Sequence, residues 1–200
     1  ITSDANTAVG AFTLRLNTSG AENSAFGASS LSYNTMGSLN VAMGAGTLAQ
    51  NTTGNRNTAV GYIALQNSTT GSFNTAFGDR SLNNSFTASF NTAMGSRSLF
   101  NNSIGHNNTA LGFNAMSNNT TGNNNTAIGN GAQVPVSTNS NQVRIGNNAV
   151  TYSGVQVAWS VTSDSRWKTD IKKSNLGLDF ISQLNPVSYI RKSEDTETIK

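Results

Sequence analysis

Polar and apolar residues follow one another in a five-residue phrase that returns every 17 residues along most of the chain. The phrase reads asparagine, threonine, alanine, a large apolar residue and glycine; it begins at Asn6, returns as far as Asn125, and has a degenerate ninth copy at Gln142. A fixed period of this length is typical of a solenoid, in which each structural unit stacks on the one before it. The pattern predicts a rigid, elongated all-β protein and argues against a compact enzyme with a single cleft.

Two regularly spaced glycines divide each unit. One glycine ends every phrase, as at Gly10, and a second follows ten residues later, as at Gly20, although Ala88 breaks this second series. Because glycine accepts a positive φ, the spacing predicts two tight turns with two short strands between them, which is one coil of a parallel β-roll or β-solenoid. Nine coils about 4.8 Å apart would extend over roughly 40 Å. A recurring apolar residue lies between the glycines: Leu14, Leu31, Leu48, Leu65, Leu82, Leu99 and Met116.

Both faces of the predicted strand are apolar, because alanine and a larger apolar residue are neighbours in every phrase, as in Ala76 and Phe77. Neighbouring residues of a strand point to opposite faces, so the strand is expected to be buried on both sides. A thin solenoid has one interior, and a second copy of the chain would supply the other surface. The pattern therefore predicts a homo-oligomer, with alanine at the tighter contact; the alternative is that alanine lines a narrow interior.

The polar positions of the phrase form columns of their own. Stacked asparagines from Asn6 to Asn125 are expected to hydrogen-bond along the solenoid, as such ladders do in cross-β structures, and to serve structure rather than binding. The threonines, such as Thr75, form a second column, and a flat threonine array is a minor candidate for an ice-binding surface. Against this, the neighbour two places on is the large apolar residue, so the threonine column is expected to share that residue's buried face.

Charge divides the chain into modules. Residues 1–150 hold eight charged side chains and the last fifty hold thirteen, which predicts a repeat region at 1–146, a connecting segment at 147–162 and a second module at 163–200. The net charge of +3 is diffuse, the chain has no cysteine, and no apolar run approaches membrane-spanning length. We therefore expect no nucleic acid, no metal or other cofactor and no membrane insertion. The single histidine, His106, is expected on an exposed turn.

The repeat region resembles the head repeats of trimeric autotransporter adhesins, which are parallel β-rolls wound as trimers. The likeness rests on the NTAxG phrases over about residues 5–146, although the repeat is longer than the unit of that family. Similar phrases occur in tail fibres, together with Thr-Thr-Gly turns such as the one that ends at Gly54. The resemblance implies a trimeric shaft or head, and it leaves a bacterial surface adhesin as the alternative to a fibre.

The C-terminal residues resemble the opening of the S74 peptidase family, the intramolecular chaperone of endosialidase-type phage tailspikes. The likeness rests on SDSRWK at 163–168, DI at 170–171, LGLDFI at 176–181 and LNPVSY at 184–189, and a QVRIG phrase at 142–146 with Trp159 resembles the usual lead-in. In that family the domain drives trimerisation of the fibre and then cuts itself off beside a serine, with the help of a lysine five residues later. The resemblance implies a fibre of a phage tail or of a phage-like contractile injection system.

Carried over residue by residue, the family motif assigns Ser163 as the nucleophile and Lys168 as the general base, with Asp164 and Arg166 in supporting, orienting positions. The chemistry is reasonable, because a serine hydroxyl needs a neighbouring base and a serine–lysine pair is a known arrangement, provided that the lysine is desolvated enough to be neutral part of the time. The family's domain normally continues for many tens of residues. We therefore expect a truncated chaperone domain that does not cleave itself in this chain.

The segment 163–200 is predicted to be small and α+β, with an amphipathic helix at 176–184 that ends before Pro186 and a strand at 187–190. The implied partners are the other two chains of a homotrimer, baseplate or other fibre proteins at the N-terminal side, and a host-cell receptor or glycan. The implied location is a virion tail or an extracellular injection-system particle, or the bacterial cell surface if the chain is an adhesin.

Overall fold

The computed structural model describes residues 5–151, and in this range every coil contributes one three-residue strand. The strands are β1 (Thr7–Val9), β2 (Ser24–Phe26), β3 (Val41–Met43), β4 (Thr58–Val60), β5 (Thr75–Phe77), β6 (Thr92–Met94), β7 (Thr109–Leu111), β8 (Thr126–Ile128) and β9 (Val143–Ile145). They form one parallel sheet in sequence order, and no helix occurs among the described residues. The predicted all-β parallel solenoid with 17-residue repeats is confirmed.

The register of the sheet places equal repeat positions beside one another. Ala8 pairs with Ala25, and Val9 pairs with Phe26. The same alignment continues to the last pair, in which Ala127 lies opposite Arg144. Because the spacing never slips, equivalent positions form continuous columns along the solenoid, which is how one short phrase determines whole surfaces of the molecule.

The glycine that ends each phrase ends the strand for two physical reasons. Gly27 has a φ of 130°, which side-chain-bearing residues rarely adopt. A Cβ atom on Gly27 would also lie 2.6 Å from the carbonyl carbon of Gly44 in the next coil. The backbone N–H of Gly27 donates to the carbonyl oxygen of Val9 at 2.8 Å, so the turn stays tied to the preceding coil.

The predicted second strand of each coil is wrong, because that segment consists of turns. Backbone hydrogen bonds do connect it between coils, as from the N–H of Leu31 to the carbonyl of Thr47 at 3.0 Å. However, alternate residues there have a left-handed backbone, with φ of 58° at Ser29 and 48° at Leu31. These φ values lie outside the β region, so the segment is not a β-strand, although its backbone is hydrogen-bonded between coils as in a sheet. Leucine rarely adopts such a φ, and nothing in its chemistry predicted it.

The second glycine of each unit is needed for space and not for a positive φ, which corrects the reason expected from the sequence. Gly20 is absent from the residues with a left-handed backbone. A Cβ atom at Gly20 would instead collide with the carbonyl oxygen of Gly37 in the next coil. The exception, Ala88, is fully buried, and it follows a serine, Ser85, where most other coils have an asparagine. Serine relieves the side-chain contact, because a Cβ at Gly37 would collide with Oδ1 of Asn34, whereas a Cβ at Gly71 would lie 3.1 Å from the hydroxyl of Ser68. The contact with the carbonyl of the next coil is the same in both cases, so Ala88 also requires a small shift of the backbone.

The interior of the solenoid is narrow and partly polar. Its apolar part consists of the leucine column and the alanine column, which form one continuous cluster of buried side chains. At the C-terminal end, Arg144 replaces alanine in β9. It is half-buried, and its guanidinium group donates to the carbonyl of Gly146 and to the side chain of Asn148, both at 2.7 Å. A charged group with its own polar partners thus closes the alanine column at this end.

Candidate interaction surface

The two faces of the strands differ sharply in burial, and the alanine face is the interior. Ala76 is fully buried within the single chain, whereas its neighbour Phe77 is 55% exposed. The expectation that alanine lies at the contact between chains is therefore wrong, and the alternative, that alanine lines a narrow interior, is confirmed. The reason is the width of the interior, where opposite walls approach closely enough that a methyl group fills the space beside the leucine column.

The outward strand face is an apolar surface that runs the whole length of the sheet. We call it the strand face: the second and fourth positions of each phrase. At the fourth position it exposes Val9, Phe26, Met43, Phe77, Met94, Leu111, Ile128 and Ile145, each between 38% and 58% exposed. The threonine column lies on the same face, as predicted, but that face is open in the single chain. Threonine beside large apolar residues does not form the uniform hydroxyl array of the ice-binding alternative.

The asparagine ladder is structural, as the sequence predicted. Asn57 is fully buried, and its Nδ2 donates to Oδ1 of Asn40 at 3.1 Å and to the carbonyl of Gly71 at 2.8 Å. Its Oδ1 accepts from the backbone N–H and the side chain of Asn74 at 3.0 and 3.1 Å. Every hydrogen-bonding group of this amide is therefore used to join coils, and none is left to bind a ligand.

A second polar ladder lies inside the solenoid, and sequence reasoning missed it. The sequence does show it as a recurring asparagine or serine three places before the second glycine: Asn17, Asn34, Asn51, Ser68, Ser85, Asn102 and Asn119. Where two asparagines are adjacent, the amides bond directly, as from Nδ2 of Asn34 to Oδ1 of Asn17 at 2.7 Å. The serines interrupt the ladder. As a result Oδ1 of Asn51 and the hydroxyls of Ser68 and Ser85 are buried without a hydrogen-bond partner.

His106 is not on an exposed turn, and this expectation is corrected. It is half-buried, its Nδ1 accepts from the backbone N–H of Ser89 at 3.1 Å, and its backbone N–H donates to Oδ1 of Asn123 at 2.7 Å. The equivalent position of other coils is serine or asparagine in the same role, as where the Ser72 hydroxyl accepts from the N–H of Asn55 at 3.0 Å. His106 therefore stands in for a small polar side chain that links neighbouring coils.

The predicted catalytic residues Ser163 and Lys168, and the supporting Asp164 and Arg166, lie outside the described residues. The same holds for the helix and strand expected in the second module. Within residues 5–151, no three histidine, aspartate or glutamate side chains gather into a group that could hold a metal ion. The described range also contains no helix long and apolar enough to cross a membrane. Within this range, the surface best suited to bind another molecule is the strand face.

Comparison with known proteins bears on the C-terminal segment. Residues 163–200 match the S74 peptidase family model, described as the chaperone of endosialidase. No curated protein and no solved structure matches the chain. The repeat region is thus described by its own geometry, and the similarity to a known family begins at the serine that the sequence analysis singled out. This chain therefore combines a parallel β-solenoid with a C-terminal segment similar to the chaperone of endosialidase.

Proposed function

We propose that this chain belongs to a trimeric fibre of a phage tail or of a phage-like contractile injection system. The observation that carries the proposal is the combination of a 17-residue-repeat solenoid with a segment that matches the chaperone of endosialidase at residues 163–200. In this proposal the solenoid is the shaft or head that presents a host-contacting surface, and the C-terminal segment assists assembly. Baseplate or other fibre proteins would hold the N-terminal side.

The strand face supports the trimeric part of the proposal. An apolar patch of a few hundred Å² is as large as the largest patch of a typical monomer, and such patches are often contacts with another protein. Strands about 10 Å long, stacked over roughly 40 Å, give a face of about 400 Å². A specific interface buries about 800 Å² on each partner, so neighbouring columns must contribute. Phe73 and Phe90, which stack with ring centroids 4.9 Å apart and are 43% and 56% exposed, lie in the column beside it.

The mass of the assembled protein tests this proposal. Light scattering should give three times the 20.9 kDa of one chain. Phe77→Asp should yield a smaller particle that keeps its β-type circular dichroism, because the charge falls in the proposed contact while the coil does not need the ring. Gln50→Asp, which adds the same charge to a column outside this face, is the matched control and should leave the mass unchanged. A soluble wild-type monomer would contradict the trimer.

Self-cleavage tests the part played by the C-terminal segment. In a protein that carries the whole chaperone domain after the solenoid, we expect one cut beside Ser163 after trimerisation. Ser163→Ala removes the proposed nucleophile and Lys168→Ala the proposed base, so either variant should stay full-length on a denaturing gel. Arg166→Ala should slow the cut if this residue orients the turn. Cleavage of the Ser163→Ala variant at the same bond would identify a foreign protease and exclude the serine–lysine mechanism.

The second candidate is the head of a trimeric bacterial surface adhesin, which the NTAxG phrases favour. It shares the trimer and the strand face with the first proposal. A membrane-anchoring β-barrel in the same gene product would support the adhesin, whereas a complete chaperone domain would support the fibre. The parent coding sequence therefore separates the two.

A further inference from the structure

One surface of the solenoid carries arginines and aromatic rings in close contact, away from the strand face. It follows the glycine that ends each phrase. There the guanidinium carbon of Arg80 lies 5.7 Å from the ring centroid of Tyr62, and that of Arg97 lies 5.9 Å from Phe100. Arg80 also pairs with Asp79 at 3.2 Å. Arg15, on the same surface, has no carboxylate partner among residues 5–151.

Arg15 lies in a small pocket between two rings. Its guanidinium carbon is 5.8 Å from the ring centroid of Phe12 and 5.4 Å from that of Tyr33. These three residues, with Ser29 and Ser32, line an open cavity of about 180 Å³. Phe12 is 64% exposed and Tyr33 is 41% exposed, so both rings are accessible from solvent. The pocket thus presents one exposed cation, two ring surfaces and the half-buried Ser29.

The coil does not require these side chains for its own structure. The repeat position of Arg15 is occupied by Ser32, Ala49 and Gln66 in the next three coils. The position of Tyr33 is occupied by glutamine or asparagine in coils further along the chain, such as Gln50. A solenoid built from near-identical units folds with small or polar residues at both places. The arginine and the tyrosine are therefore departures from the repeat that the fold itself does not explain.

The chemistry of the pocket selects an anionic ligand with an apolar face. A guanidinium group binds a carboxylate through two parallel hydrogen bonds, and an arginine held against aromatic rings has less freedom to lose on binding. The rings offer flat apolar surfaces to the C–H face of a sugar. The cavity is smaller than the roughly 300–1,000 Å³ typical of drug-sized ligands, so it accommodates one unit of a longer molecule.

We propose that the pocket formed by Phe12, Arg15 and Tyr33 binds a carboxylate-bearing sugar unit of a surface polysaccharide. The inference rests on the proposed role in surface recognition and names the class of ligand for it. The carboxylate lies on the Arg15 guanidinium, the sugar ring lies against Phe12 and Tyr33, and the half-buried Ser29 lies at the edge of the site. One such shallow site is weak, and three copies in one particle would bind a polymer far more tightly than one copy does.

The test measures binding of the full 200-residue chain to immobilised polygalacturonate by interferometry, with neutral dextran and phosphomannan as comparison surfaces. We expect binding to polygalacturonate only. Arg15→Gln and Tyr33→Gln, which introduce the residue that other coils carry at these positions, should each weaken it by about tenfold or more, as for the central residues of a binding site. Arg97→Asn removes the same charge from the same surface outside the pocket, and Asn114 occupies the equivalent position, so this control should bind like the wild type.

Equal binding by Arg15→Gln and the wild type would overturn the proposal. An equal loss in Arg97→Asn would also overturn it, because it would show a general charge effect. Binding to phosphomannan alone, or to no polysaccharide, would reject the carboxylated sugar. Light scattering on the same samples keeps the two proposals separate. If the protein is a trimer that does not bind the polysaccharide, the pocket proposal is rejected and the fibre proposal stands. If it is a monomer whose binding depends on Arg15, the trimer is rejected and the pocket proposal stands.

Discussion

The inner and outer faces of the same strands differ more than their sequences suggest. On the inner face, Ala76 is buried completely by its own chain; on the outer face, Phe77 remains 55% exposed. Side-chain size usually increases with burial in a protein core, but here the smaller residue is inside. The difference shows that a solenoid this narrow selects for small interior side chains and leaves its large apolar residues for another surface.

The largest expected effect comes from a charge on the inner face. Ala76→Asp should reduce the free energy of unfolding by about 4 kcal/mol or more, because the carboxylate would be buried without a partner. Phe77→Asp, one residue away on the outer face, should change the stability of the coil itself by about 1 kcal/mol or less. Urea unfolding followed by circular dichroism measures both. Equal losses of stability in the two variants would show that a charge costs the same on both faces and would contradict this expectation.

Replacing a serine of the second polar ladder by asparagine should change the stability by an intermediate amount, with opposite signs at the neighbouring positions Ser68 and Ser85. Ser68→Asn places an amide beside the unpaired Oδ1 of Asn51, next to Gly71, and should stabilise the protein by about 1 kcal/mol. Ser85→Asn places the same amide beside the methyl group of Ala88 and should destabilise it by about 1–2 kcal/mol.

The double variant Ser85→Asn/Ala88→Gly supplies the control for this pair. It should recover the stability lost in Ser85→Asn, since the other asparagine rungs of the ladder are followed by glycine three residues later. Thermal unfolding of the wild type and the three variants measures the series. If Ser85→Asn were as favourable as Ser68→Asn, the packing explanation for Ala88 would be wrong.

The smallest change in stability is expected at His106, because other coils carry serine at the equivalent position. His106→Ser should change the free energy of unfolding by less than about 0.5 kcal/mol. The hydroxyl can accept from the N–H of Ser89 as the imidazole does, just as the Ser89 hydroxyl accepts from the N–H of Ser72 at 3.0 Å. His106→Ala lacks the acceptor and serves as the comparison. Equal stability of the serine and alanine variants would show that this hydrogen bond contributes little.

Part of the candidate surface was readable from the repeat and part was not. The phrase indicated that both strand faces are apolar and that one of them is left without cover in a single chain, and both statements hold for residues such as Phe77. It did not indicate which face is outside, because alternation in a strand is symmetrical between the two. The pocket around Arg15 was also missed, since its residues come from two coils and appear in the sequence only as departures from the repeat.

The sequence by itself determined the period, the parallel register and the asparagine ladder, because an unbroken 17-residue spacing forces equal positions to stack. Only the tertiary structure decided which face is the interior, because that depends on the distance between opposite walls of the coil. It also decided the left-handed backbone at residues such as Leu31, whose N–H donates to Thr47 of the next coil and whose carbonyl accepts from the N–H of Asn34; these bonds outweigh the local preference of leucine. Local preference is a property of one residue, whereas the width and closure of a coil belong to the whole stack.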